Sequence, residues 1–205
     1  ATVFDRFNQA RVRVGVPGAN VSHSGYMCFA DVTTMVRDLA HPNGTYFLAN
    51  MVGPIAAGKQ AGYGGWTMVI VYANPSLQVR NLTVFDGCVV VAPAAGNVDV
   101  AINGFLTPTT GPVSCELGAV VIDGDRQDGP DAYLFRETWV PLPAFTDLTP
   151  TVAAPGNATS RISDMWNSTI SHRGVVVATR NPAFVNTYGY DADIFQLPAG
   201  VLGNG

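Results

Sequence analysis

GYGGWTMVIVYANPSLQVRNLTVFDGCVVV, residues 62–91, sets two apolar runs, 66–73 and 82–91, on either side of Asn74, Pro75 and Ser76. Val, Ile, Thr, Tyr and Phe suit a pleated surface, and Asn-Pro-Ser punctuates it. The stretch therefore predicts two consecutive antiparallel strands joined by a turn. It bears no catalytic chemistry and is architectural.

Outward from it, alternation predicts further strands at 9–16, 26–30, 45–51, 98–103, 113–122, 132–140, 174–179 and 192–197. Together these make an all-β chain, a jelly roll or β-sandwich of about ten short strands. Two short helices interrupt it. Asp31 caps one, with Val32, Met35, Val36 and Leu39 on one face. Ser160 caps the other, which carries Ile162, Met165, Trp166 and Ile170 and ends at Gly174. The Pro-rich stretch 141–155 reads as a long loop inside a single domain spanning 1–205.

Hydrophobic residues make up 47% of the 205 positions, enough for a core, while 22 Gly and 14 Pro imply many turns. Net charge is -4, with one lysine, Lys59, among eleven basic residues, so no basic patch is offered to nucleic acid. No apolar run approaches the ~18 residues of a membrane span. The chain opens at Ala1 without a leader, which reads as a mature secreted, extracellular protein. Five Asn-X-Ser/Thr sequons, at Asn20, Asn43, Asn81, Asn157 and Asn167, exceed the one or two that chance gives at about this composition, so all five are candidate glycosylation sites.

Cys28, Cys88 and Cys115 suggest one pair and one leftover. Cys88 and Cys115 each alternate with apolar neighbours, so a Cys88–Cys115 disulfide is one reading. Three buried thiols packing as small hydrophobes are the other.

Seven motifs resemble, in order and spacing, a β-rich domain of exported bacterial surface proteins, which stands ahead of tandem immunoglobulin-like conserved repeats. They are FADVTTMV (29–36), NGTYFLANM (43–51), YGGWTMVIVYANPSLQVRNLTVFDG (63–87), GPVSCELGAVVIDGD (111–125), NSTIS (167–171), TRNP (179–182) and GYDADIF (189–195). The resemblance covers nearly the whole chain and implies cell-surface structure or adhesion rather than catalysis. It also implies a strand before 8–17 and an apolar strand pair after 203–205, both missing here. A sheet short of a strand exposes unpaired N–H and C=O groups that accept a strand from another copy. The expectation is a homopolymer, a surface filament or layer assembled head to tail. Ala1, Thr2, Val3, Phe4, Asp5, Arg6 and Phe7 are the candidate donated strand.

Chemistry concentrates in the acidic turn holding Asp123, Asp125, Asp128 and Asp131. Oxygen ligands on a Gly-containing loop suit Ca2+, and Asp191 and Asp193, alternating on one side of a strand, either join the same ion or pair with Arg180. A solvated acidic turn bonded to local backbone is the plainer reading. Lys59 is the sole candidate for a Lys–Asn crosslink and reads more simply as an exposed loop amine. His23, His41, His172, Glu116 and Glu137 form no catalytic motif. Tyr63, Trp66, Tyr72, Trp139, Tyr188 and Tyr190 are expected in the core before a sugar-stacking platform. The rival to the polymer is therefore a calcium-dependent adhesin that binds glycans.

Overall fold

The computed structural model describes residues 11–15, 24–51, 64–87, 89, 91, 96–122, 124, 131–137, 144–148 and 165–204. The chain forms two compact units, Ala1–Val52 with Arg80–Phe105, and Gly53–Val79 with Leu106–Gly205.

In the first unit β1 (Arg11–Gly15) pairs antiparallel with β2 (Ser24–Cys28), Arg11 opposite Cys28. The helix expected after Asp31 is present as α1 (Thr33–Arg37). Asp31 Oδ1 accepts the Thr33 N–H at 2.9 Å, and hydrogen bonding from the Thr33 side chain and then its backbone lowers the Asp31 pKa. Val32, Met35, Val36 and Leu39 are half-buried, the face their spacing predicts.

The second unit holds a four-stranded mixed sheet in the order β3–β8–β6–β7, with β3 Glu116–Ile122, β6 Ile170–His172, β7 Val175–Val176 and β8 Tyr190–Gln196. β3 runs antiparallel to β8, and β8 runs parallel to β6. β4 (Leu134–Phe135) and β5 (Thr146–Asp147) form a separate pair, so strand structure enters the stretch read as a loop. Phe135, Leu148, Met165, Phe195, Leu197 and Leu202 are buried, and Tyr133 packs tilted against both Trp166 and Phe195 at 5.6 and 5.7 Å. The architecture is β-rich with almost no helix.

The turn in the decisive stretch forms as its residues dictate. Asn74 Oδ1 accepts the Ser76 N–H at 2.9 Å and the Asn74 carbonyl accepts the Leu77 N–H at 3.0 Å. Its flanks, however, join no ladder among the described residues, and Val69, Ile70, Val71 and Tyr72 are 56–71% exposed. The turn chemistry explains this. Pro75 fixes φ near about -65°, excluding the primed turns whose twist matches two short strands. Arg173 and Gly174 show the converse: both have positive φ, at 52° and 75°, and they close the tight β6–β7 hairpin. The expected strands 45–51 and 98–103 likewise form no ladder.

Two further expectations are corrected. The helix from Ser160 to Gly174 does not form over its described part. Ser168 turns to positive φ (59°), and Ile170–His172 extends to pair with β8. Trp66, Tyr72 and Tyr188 are 44%, 71% and 78% exposed and do not belong to the core, because their segments join no sheet or lie in a tight turn. Tyr63 and Trp139 lie outside the described residues.

Candidate functional site

β8 reads YDADIFQ, and strand alternation sends Asp191 and Asp193 to the same, inner face. They are 0% and 3% exposed. Charge in so dry a place requires short donors, and the parallel neighbour supplies them: Asn167, Ser168, Thr169 and Ser171 are all buried there. Asp191 Oδ1 accepts the Thr169 N–H at 2.9 Å, and Asp193 Oδ1 accepts the Ser171 hydroxyl. Ser168 locks the approach, donating its hydroxyl to the Gly124 carbonyl at 2.6 Å while accepting the Gly189 N–H at 2.9 Å. Thr169 Oγ1 donates to Asn167 Oδ1 at 2.7 Å.

Asp193 differs from an ordinary satisfied carboxylate. Its Oδ2 is buried with no hydrogen-bond partner, and it makes no ion pair among the described residues. Burial pushes its pKa up to about 6, against the Ser171 hydrogen bonds that act to lower it. The site can therefore hold a proton near neutrality. Burial also raises Asp131, which is half-buried and whose carbonyl accepts the Met165 N–H at 3.1 Å.

Of the six expected calcium ligands, Asp191 and Asp193 are brought together on β8, and Asp123, Asp125 and Asp128 lie outside the described residues. Among the described residues no group of three or more His, Cys, Asp or Glu side chains is placed to hold a metal. The Asp193 Oδ2 suits a cation, but among the described residues the six to eight oxygens a calcium shell takes are not assembled there. The expected pairing with Arg180 is not made. That guanidinium donates to the carbonyls of Val177, Pro182 and Phe184, because its own loop leaves those acceptors unmet.

His172 Nε2 lies 3.3 Å from Glu116 Oε1 at the sheet surface, beside Arg173, whose Nε reaches the same oxygen at 2.7 Å. Burial opposes ionisation of Glu116, but these two partners prevail and its pKa falls. The Ser171–Asp193 couple is separate from this surface cluster: Asp193 is bonded through Ser171, by its side chain and its backbone.

Cys28 and Cys115 are free thiols, so the Cys88–Cys115 bridge is not made. Burial, then the Glu116 charge, pushes the Cys115 thiol up, keeping it protonated and a poor attacking group. Cys88 lies outside the described residues, as do Asn20, Asn157, Lys59 and Ala1 to Phe7.

Among the sequons, Asn43 and Asn81 are exposed, whereas Asn167 is 3% exposed and bonded to Thr169, leaving no room for a sugar; that expectation is corrected. In material produced by a glycosylating host, intact-peptide mass spectrometry is expected to find glycan at Asn43 and none at Asn167. Occupied Asn167 would contradict the buried junction.

Sequence reasoning missed the hydroxyl strip and Gly124. The signal was NSTIS: three consecutive short polar residues before a β-branched one supply backbone competition rather than a helical face. Among the described residues no helix is long and apolar enough to cross a membrane. Comparisons with family models, with curated proteins and with solved structures find no match.

Proposed function

We propose that the chain is an extracellular structural subunit of a cell-surface filament or layer, built on a sandwich or jelly-roll plan and assembled by strand complementation between copies. One observation carries this reading. β3 is the outermost strand of its sheet and, among the described residues, ladders only with β8. It is seven residues long, and Val120 and Ile122 are 47% and 48% exposed. Protected edges are short, or carry lysine, proline or a bulge. ELGAVVI contains neither lysine nor proline. A row of unmet backbone groups beside apolar side chains is what an added strand satisfies. A donor from elsewhere on the neighbour makes the contact heterologous, which propagates instead of closing.

The native chain is expected to scatter light as large particles visible by electron microscopy, and a chain lacking Ala1 to Phe7 to run as monomers slightly smaller than the 21.6 kDa of the full chain. Monomers from the full chain at all concentrations would refute assembly. The second reading, a calcium-dependent adhesin, is favoured by the orphaned Asp193 Oδ2. It requires a monomer whose melting temperature falls by several degrees in chelator.

A further inference from the structure

We propose that residues 67–73 are a strap that closes along the outer edge of β3 and competes with a neighbouring copy for it. This rests on the reading of β3 as the receiving edge. Thr67 Oγ1 is hydrogen-bonded to the Tyr190 hydroxyl, and Tyr190 is the β8 residue directly opposite Ile122, the last residue of β3. Gly65 lies closer still. A Cβ there would stand 2.9 Å from the Tyr190 ring and 3.9 Å from Ile122 Cδ1. The chain is thus pinned at the far end of β3 just before its apolar run begins.

From that pin, two directions are open. A run parallel to β3 would leave the strand at once, whereas an antiparallel run travels back along its full length. With Thr67 opposite Ile122, Val69 meets Val120, Val71 meets Gly118 and Ala73 meets Glu116. Seven strap residues match the seven of β3. The next residue is Asn74, whose turn contains Pro75, and proline supplies no N–H to continue a ladder.

The faces match as well. Leu117, Ala119 and Val121 are the half-buried side of β3, and in this register they meet Tyr72, Ile70 and Met68. Ile70 and Tyr72 are 56% and 71% exposed before closure, so closing removes apolar surface from water on that side. No proline or charge lies within 67–73 to oppose pairing. A short tether gives the strap a local concentration of about millimolar, so a neighbour's strand succeeds only when subunits are concentrated or the strap is displaced. The strap is in this sense an autoinhibitory contact.

The test places Val69→Cys with Val120→Cys in a chain whose native cysteines are changed by Cys28→Ser, Cys88→Ser and Cys115→Ser, oxidised by glutathione disulfide at low protein concentration. A bond within one chain, and at least a tenfold loss of scattering particles after oxidation, are expected. Val69→Cys with Ala119→Cys, which point to opposite faces, should not close. In the unaltered chain, amide exchange over 68–72 should be slowed at low concentration, a readout that does not depend on the variants folding. Fast exchange there, or crosslinks only between chains, would overturn the strap, and particles formed in that case would leave assembly standing. A within-chain bond from a protein that never forms particles would keep the closure and refute the assembly.

Discussion

Gly124→Ala is expected to destabilise the second unit by about 3 kcal/mol or more, the range of severe overpacking against groups that cannot move. A Cβ at this position would lie 2.1 Å from Asp191 Oδ2 and 2.8 Å from the Trp166 carbonyl oxygen. The first is the end of a side chain, but one with no exposure and a fixed bond to the Thr169 N–H. The second is backbone. Relief therefore requires moving Gly124 itself, which breaks the Ser168 bond to its carbonyl and its own N–H bond to Gly189 at 3.2 Å. Gly87→Ala is the control: nothing lies within 4 Å of its Cβ position and its φ is not positive, so a change within about 1 kcal/mol is expected. Urea denaturation of both variants checks the pair, and equal midpoints would show that the acidic junction is not packed as described.

Stability of the same unit is expected to fall as pH rises from about 4 to above 6. The folded pKa of Asp193 is about 6, above its ordinary 3.8, because burial disfavours the charge and Oδ2 has no partner to offset that cost. A carboxyl with a raised folded pKa stabilises the fold fully below the unfolded value, and this stability is lost as pH climbs through the folded one. At about 1.36 kcal/mol for each tenfold step in proton affinity, the difference comes to roughly 3 kcal/mol. Asp193→Asn retains an oxygen for the Ser171 hydroxyl and cannot ionise. It is expected to abolish this slope and to be the more stable protein at pH 8. Urea midpoints between pH 4 and 8, taken in chelator, decide the matter. A wild-type midpoint that rises across this window in chelator would mean that a basic group satisfies Asp193.

Both expectations centre on residues whose types were readable and whose roles were not. GYDAD announces two acids on one side of a strand, because alternation alone sets that parity. Whether that side faces water depends on what covers it. The covering strip is Asn167 to Ser171, and the apolar Ile170 within it and Met165 and Trp166 just before it invite a helical reading that parallel pairing with β8 defeats. Helix α1 was legible for the opposite reason: its periodicity and the Asp31–Thr33 bond before it are local, although the N-cap position falls on Val32 and not on Asp31. The Asn74 turn was equally legible, yet its effect on the flanking runs was not, since hairpin closure depends on the sign of φ at two residues rather than on apolar content.

By itself, then, the sequence determined the β-rich class, the apolar face of helix α1, the Asn74 turn, the strand of ELGAVVI and the alternation that sets Asp191 beside Asp193. Each follows from neighbours within a few positions, where propensity, capping and pleat act. Only the tertiary structure decided that these acids are buried against hydroxyls, that Asn167 is sealed from solvent, that Arg180 serves its own loop and that β3 stands at a sheet edge. Those outcomes depend on which distant segment packs where, and desolvation, the force that gives them their chemical character, arises only once that packing exists.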